Sequence, residues 1–159
     1  VELIKIFVPI SEIPPVVVRE KLFVPSFSDK FIAYELSSGN EVWSIKLSSV
    51  NPIVISGDTM YLIDTTGRLL CLNTTSGKLL WAVQLKISNK GKEISWYGPI
   101  LSSNKLLLGS SRGTVISISP FSGKLLSKIK LSEELVANPI QLGEQIMLIS
   151  KEGTLFILG

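Results

Sequence analysis

The chain has 159 residues, 45% hydrophobic and 18% charged, with a net charge of +3 and a pI near 9.0. That is enough chain for one ordinary core and the composition of a folded protein, which excludes a disordered one. Scattered basic residues without interleaved aromatics argue against nucleic-acid binding. The lack of histidine excludes Ser-His-Asp and Cys-His catalysis and His-ligated zinc, and the single Cys71 excludes an internal disulfide.

A mean hydropathy of +0.40 predicts strands buried on both faces. No apolar run reaches the roughly 18 residues needed to span a bilayer as a helix. The most apolar stretch, 3–18, is broken by Lys5, Pro9, Glu12, Pro14 and Pro15. The chain starts at Val1 without Met, so a processed or truncated product lacking its targeting segment is expected. Residues 1–8 read as a stray outer strand, the last of a unit whose first three strands are not upstream.

Three Ser-Gly turns then recur in register, at Gly39, Gly77 and Gly123. Ten residues before each stands a turn residue: Asp29, Gly67, Gly113. Six before stands a small residue: Ala33, Cys71, Ser117. Four after stand Trp43, Trp81 and, where a third Trp is due, Ser127. Pro15, Pro52 and Pro99 open the units. Between these marks the apolar runs are short, β-branched and bounded by Gly, Asn, Asp and Ser, which predicts strands rather than helices. In the second unit Ser56-Gly57-Asp58, Thr66-Gly67 and 73–78 are turns between four antiparallel strands.

The predicted architecture is all-β: a β-propeller of four-stranded antiparallel blades, about four here, half of an expected eight-bladed ring. The blades fall at 15–47, 52–85 and 99–131, and a last blade at 139–159 lacks its fourth strand; 1–159 is one partial domain. Trp81 and Pro99 are 18 positions apart against 9 for Trp43 and Pro52, so 86–97 is a long connection between blades. The missing Trp at Ser127 predicts a looser contact after the third blade.

The string Cys71-Leu72-Asn73-Thr74-Thr75-Ser76-Gly77-Lys78-Leu79-Leu80-Trp81 resembles the Ala-Leu-Asp-x-x-Thr-Gly-Lys-x-x-Trp repeat of pyrroloquinoline-quinone-type propellers. In that repeat Asn or Asp holds the turn's backbone donors, Gly permits the turn, and Trp wedges between blades. Within the superfamily the chain resembles most the C-terminal half of the B-component lipoproteins of outer-membrane β-barrel assembly (BamB-like). The features are the segment Ile94-Ser95-Trp96-Tyr97-Gly98-Pro99 and the end of the chain after a third strand.

The resemblance implies a non-catalytic scaffold in the bacterial cell envelope, at the periplasmic face of the outer membrane, without a cofactor. It would bind the periplasmic domains of the barrel-assembly protein, and unfolded outer-membrane proteins, and reach the membrane through an upstream lipid anchor. The candidate contact residues are Lys90, Lys92, Glu93, Ile94, Trp96 and Tyr97, because Trp and Tyr beside charges favour interfaces; the same two aromatics could instead plug the gap between blades. Two alternatives stay open. One is a propeller with another envelope partner. The other is a quinone-dependent dehydrogenase, against which stand the solitary Cys71 and the turn positions of Asp29, Asp58 and Asp64, which lack calcium-loop spacing.

Overall fold

The computed structural model describes residues 13–25 and 29–159; the expected strand at 1–8 lies outside the described residues. Strands β1 (Val16–Val18), β2 (Lys21–Val24), β3 (Phe31–Glu35) and β4 (Glu41–Ile45) form the first sheet in sequential antiparallel order. The second repeats it with β5 (Val54–Ser56), β6 (Thr59–Ile63), β7 (Arg68–Asn73) and β8 (Leu79–Gln84). A two-stranded ribbon follows, β9 (Ser88–Asn89) and β10 (Lys92–Glu93). The third sheet is β11 (Trp96–Ser102), β12 (Lys105–Ser110), β13 (Thr114–Ile118) and β14 (Leu125–Lys130). The last has three strands, β15 (Ile140–Leu142), β16 (Gln145–Ile149) and β17 (Leu155–Leu158). These are the blades of an all-β propeller.

Alternation along the middle strands explains the high hydropathy. In β6, Met60 and Leu62 point toward the first sheet and share a core with Phe23, Phe31, Ala33 and Trp43. Their neighbours Tyr61 and Ile63 point the other way, into a core with Cys71, Leu106, Leu108 and Ile118. A strand that is apolar at every position can be buried on both faces only when a sheet lies on each side. A third core, Val115, Leu135, Ile146 and Leu148, joins the last two sheets.

The turns repeat bond for bond. At each Ser-Gly turn the glycine N–H donates four residues back: Gly39 to Glu35, Gly77 to Asn73, Gly123 to Ser119. At the opposite end, a leucine one or two residues after the fourth strand donates to the β2–β3-type turn of its own blade: Leu47 to Asp29, Leu85 to Gly67, Leu131 to Gly113. The incoming connection also joins the next blade's turn, through Thr65 N–H to Ser48 O, Ser111 N–H to Ser95 O, and Lys151 N–H to Glu134 O.

One difference from the sequence reading concerns the long connection. The ribbon folds inside it, and the third sheet starts three residues earlier than the marker Pro99. Trp96 and Tyr97 pair with Ser110 and Gly109, and the register shifts between Tyr97 and Ile100. Pro99, which has no N–H to give a ladder, sits in that irregularity.

Candidate functional site

The wedge positions are built alike in the first two inter-blade contacts. Trp43 lies opposite Ala33 in the β3–β4 ladder, stacks on Phe31 at 5.9 Å, and donates from Nε1 to Thr74 O of the next blade at 2.9 Å. Trp81 lies opposite Cys71 and donates to Pro120 O at 3.0 Å. The small residue opposite each indole leaves the room that the ring fills. The receiving turn fits closely: a Cβ at Gly77 would come within 2.7 Å of the Trp43 ring, and one at Gly123 within 2.8 Å of Trp81. Asn73 holds that turn by accepting from Thr75 N–H (3.0 Å) and Ser76 N–H (2.9 Å). In the third blade Ser127 bonds Ser117 at 2.7 Å instead, and a cavity of about 190 Å³ lined by Ser117, Leu107, Ile146 and Leu158 opens there.

Sequence reasoning placed Asp64 in or near a turn but missed Ser110, Ser150 and the register the three share. Asp64, Ser110 and Ser150 each stand three residues before the turn glycines Gly67, Gly113 and Gly153. Each accepts from the backbone of its own turn: Asp64 from Thr66 and Arg68, Ser110 from Arg112 and Thr114, Ser150 from Glu152 and Thr154. A short acceptor at a fixed offset before a turn glycine was the available signal.

Asp64 is the charged member and is buried, with Arg68 Nη2 at 2.7 Å from its Oδ2. Burial pushes its carboxyl up, but hydrogen bonds from the Arg68 backbone, from Thr66 and from the Arg68 side chain outweigh it, and the group sits below the ordinary aspartate value. A folded-state pKa below the unfolded one stabilises the fold fully above the unfolded value of about 3.9, and that part is lost as pH falls through the folded value. Asp64→Asn is therefore expected to be less stable than the parent chain near neutrality and to lose less stability between neutral and strongly acidic pH. Urea unfolding of both chains at each pH measures this; identical pH dependence would refute it.

The ribbon stands at the end of the blades that carries the Asp64 and Ser110 turns. Its two-residue loop, Lys90 and Gly91, has φ of 49° and 74°, the twist a tight hairpin requires. Lys90, Lys92 and Glu93 are exposed on it and Ile94 is half-buried. Trp96 and Tyr97 are half-buried and turn inward. Trp96 packs on the core shared by the second and third sheets and donates to Lys86 O at 3.0 Å, while Tyr97 packs on the core shared by the third and fourth. Of the six residues singled out in the sequence, three thus form a charged outer group and two an aromatic pair that fills space between blades, with the half-buried Ile94 between them.

Among the described residues no three of His, Cys, Asp and Glu come together as a metal-binding group. Cys71 is buried, and burial pushes its thiol up to about 11.

The family model described as outer membrane protein assembly factor BamB matches residues 5–158. The BamB of Salmonella typhimurium is 28% identical over 145 residues, which covers 91% of this chain and 36% of that protein. The chain therefore spans little more than a third of that relative's length. The crystal structure of BamB from Moraxella catarrhalis superposes with a TM-score of 0.76 at 20% identity, over 90% of this chain and 41% of that one. The quinohemoprotein alcohol dehydrogenase of Comamonas testosteroni shares the fold at a TM-score of 0.62 and 20% identity, over 74% of this chain and 20% of its own. A match to the family model over nearly the whole chain decides between these two likenesses: the chain belongs to the outer membrane protein assembly factor BamB family.

Proposed function

We propose that this chain is part of a non-catalytic scaffold of outer-membrane protein assembly in the bacterial cell envelope. It acts at the periplasmic face of the outer membrane by docking the periplasmic domains of the barrel-assembly protein and aiding insertion of its substrates. A lipid anchor upstream would hold it there. The observation that carries the reading is the family match over residues 5–158. The structure supports it with a stack of blades that carries an exposed, charged ribbon suited to contact another protein.

The dehydrogenase reading finds no support in the chain's own chemistry. Its one thiol is buried in a core, and the three aspartates in or near turns serve other ends. Asp64 caps a turn, Asp58 pairs with Arg19 at 2.8 Å, and Asp29 accepts from Ser48 at 2.7 Å.

Deleting 88–93 and closing the ribbon with a short turn is the direct test. The shortened chain is expected to keep its melting temperature, because every ribbon residue is exposed, and to bind the barrel-assembly protein's periplasmic domains at least about tenfold more weakly, a loss of roughly 1.4 kcal/mol. Unchanged affinity would remove the ribbon from the interface. Recovery of a different envelope protein, and not the barrel-assembly protein, would favour a scaffold with another partner.

A further inference from the structure

At the ribbon's end of the blades a charged cleft of about 310 Å³ lies between the ribbon and the connection that follows β14. Lys90, Lys92, Arg112, Lys130, Glu133 and Glu134 line it. They come from three separate places in the chain, brought together because the connection after the third blade pairs with the turn of the fourth and Arg112 occupies the turn of the third.

Its charges do not cancel. Arg112 is matched by Glu134, with Nη1 at 2.6 Å from Oε1. Lys130 donates to the carbonyl oxygen of Arg112, a neutral acceptor, so its charge is not neutralised. Lys90 and Lys92 have no carboxylate within ion-pair distance among the described residues, although Glu93 adjoins them in sequence. Glu133 accepts from Thr154 Oγ1 at 3.0 Å with one oxygen, while its other oxygen is buried with no hydrogen-bond partner. The cleft thus offers unmatched ammonium groups, while the unpartnered oxygen of Glu133 is turned away from solvent.

We propose that this cleft docks an acidic, extended peptide segment of a partner protein. Carboxylates of such a segment meet Lys90 and Lys92 on the ribbon and Lys130 on β14. The three ammonium groups stand on two separate elements, the ribbon and β14, so their complement is several carboxylates along one chain and not one simple anion. A bilayer surface fits less well, because Trp96 and Tyr97 beside the ribbon are turned into the cores and leave no aromatic anchor next to the cleft among the described residues. The two-residue hairpin carries the lysine-bearing wall, and the excess of positive over negative charge around the cleft both steers an acidic partner and selects against cationic ones.

The inference rests on the scaffold reading and names the chemistry of one docking surface. The probe is a short Asp- and Glu-rich peptide, with its Asn- and Gln-substituted counterpart, titrated into the full chain by calorimetry at low and then physiological salt. The acidic peptide is expected to bind and weaken with salt, and the amide peptide not to bind. Lys90→Glu with Lys92→Glu is expected to lower affinity at least about tenfold. Lys78→Glu with Lys124→Glu changes net charge equally on the Ser-Gly turns at the opposite end of the blades and is expected to leave affinity unchanged. Equal binding of both peptides, equal weakening by both double variants, or sedimentation with anionic phospholipid vesicles in place of peptide binding overturns the proposal. The same variants against the barrel-assembly protein's periplasmic domains separate the two readings. Should the parent chain and the Lys90/Lys92 variant bind those domains equally, the cleft proposal fails and the scaffold stands. Should the parent chain not bind them, the scaffold reading fails, and the peptide titration still decides the cleft.

Discussion

Trp43→Ala is expected to lower the unfolding free energy by about 3–5 kcal/mol, the range for removing a large buried aromatic side chain. The indole is 9% exposed and touches two aromatic partners, Phe31 at 5.9 Å and Phe23 at 6.0 Å. Its Nε1 also bonds Thr74 O, so the variant leaves that buried residue's carbonyl short of a donor, at a cost of about 1–3 kcal/mol included in the total. The loss falls on two blades at once, because the ring belongs to the first and its acceptor and the Gly77 turn to the second. Trp43→Phe keeps most of the apolar area and drops the hydrogen bond, and is expected to cost about half as much. Urea unfolding followed by far-ultraviolet circular dichroism measures both. A loss under about 1 kcal/mol for the alanine variant would mean that the first two blades are not held together by this wedge.

That wedge shows how far the sequence carries. The pairing of a small residue with a Trp ten positions later, around a Ser-Gly turn, was readable at Ala33 and Trp43 and again at Cys71 and Trp81, because each partner type has one job in a stacked blade. The same register marked Ser127 as a gap, and a cavity lies beside its partner Ser117. Orientation was not readable. Trp96 and Tyr97 have the composition of an interface, yet they stand on adjacent positions of one strand, so their side chains go to opposite faces and into two different cores. Whether a strand's two faces are both covered depends on neighbours distant in sequence. The cleft was illegible for the same reason: Arg112 and Glu134 are 22 residues apart, and only the pairing of connection with turn brings them together.

The turn that carries Arg112 supplies the second large effect. Gly113→Ala is expected to destabilise the chain by about 2–4 kcal/mol, from left-handed backbone strain together with a steric clash that only main chain can relieve. Gly113 has φ of 70°, and its carbonyl accepts Leu131 N–H at 2.8 Å, which draws the following connection close over the turn. A Cβ added there would run into the carbonyl oxygen of Glu133 well inside van der Waals contact, with the Leu131 carbonyl at 3.4 Å behind it. Neither obstacle is the end of a flexible side chain. Gly143→Ala isolates the strain alone, since that glycine has φ of 61° and nothing within 4 Å of the added methyl; it is expected to cost about 1 kcal/mol. Because the displaced segment carries Glu133 and Glu134, Gly113→Ala is also expected to pull Glu134 from Arg112 and to weaken the acidic peptide's binding at a temperature where the variant remains folded, whereas Gly143→Ala leaves that binding unchanged. Thermal unfolding and calorimetric titration of the two variants together test both halves; equal destabilisation by the two alanines would show that the connection after the third blade does not press on its turn.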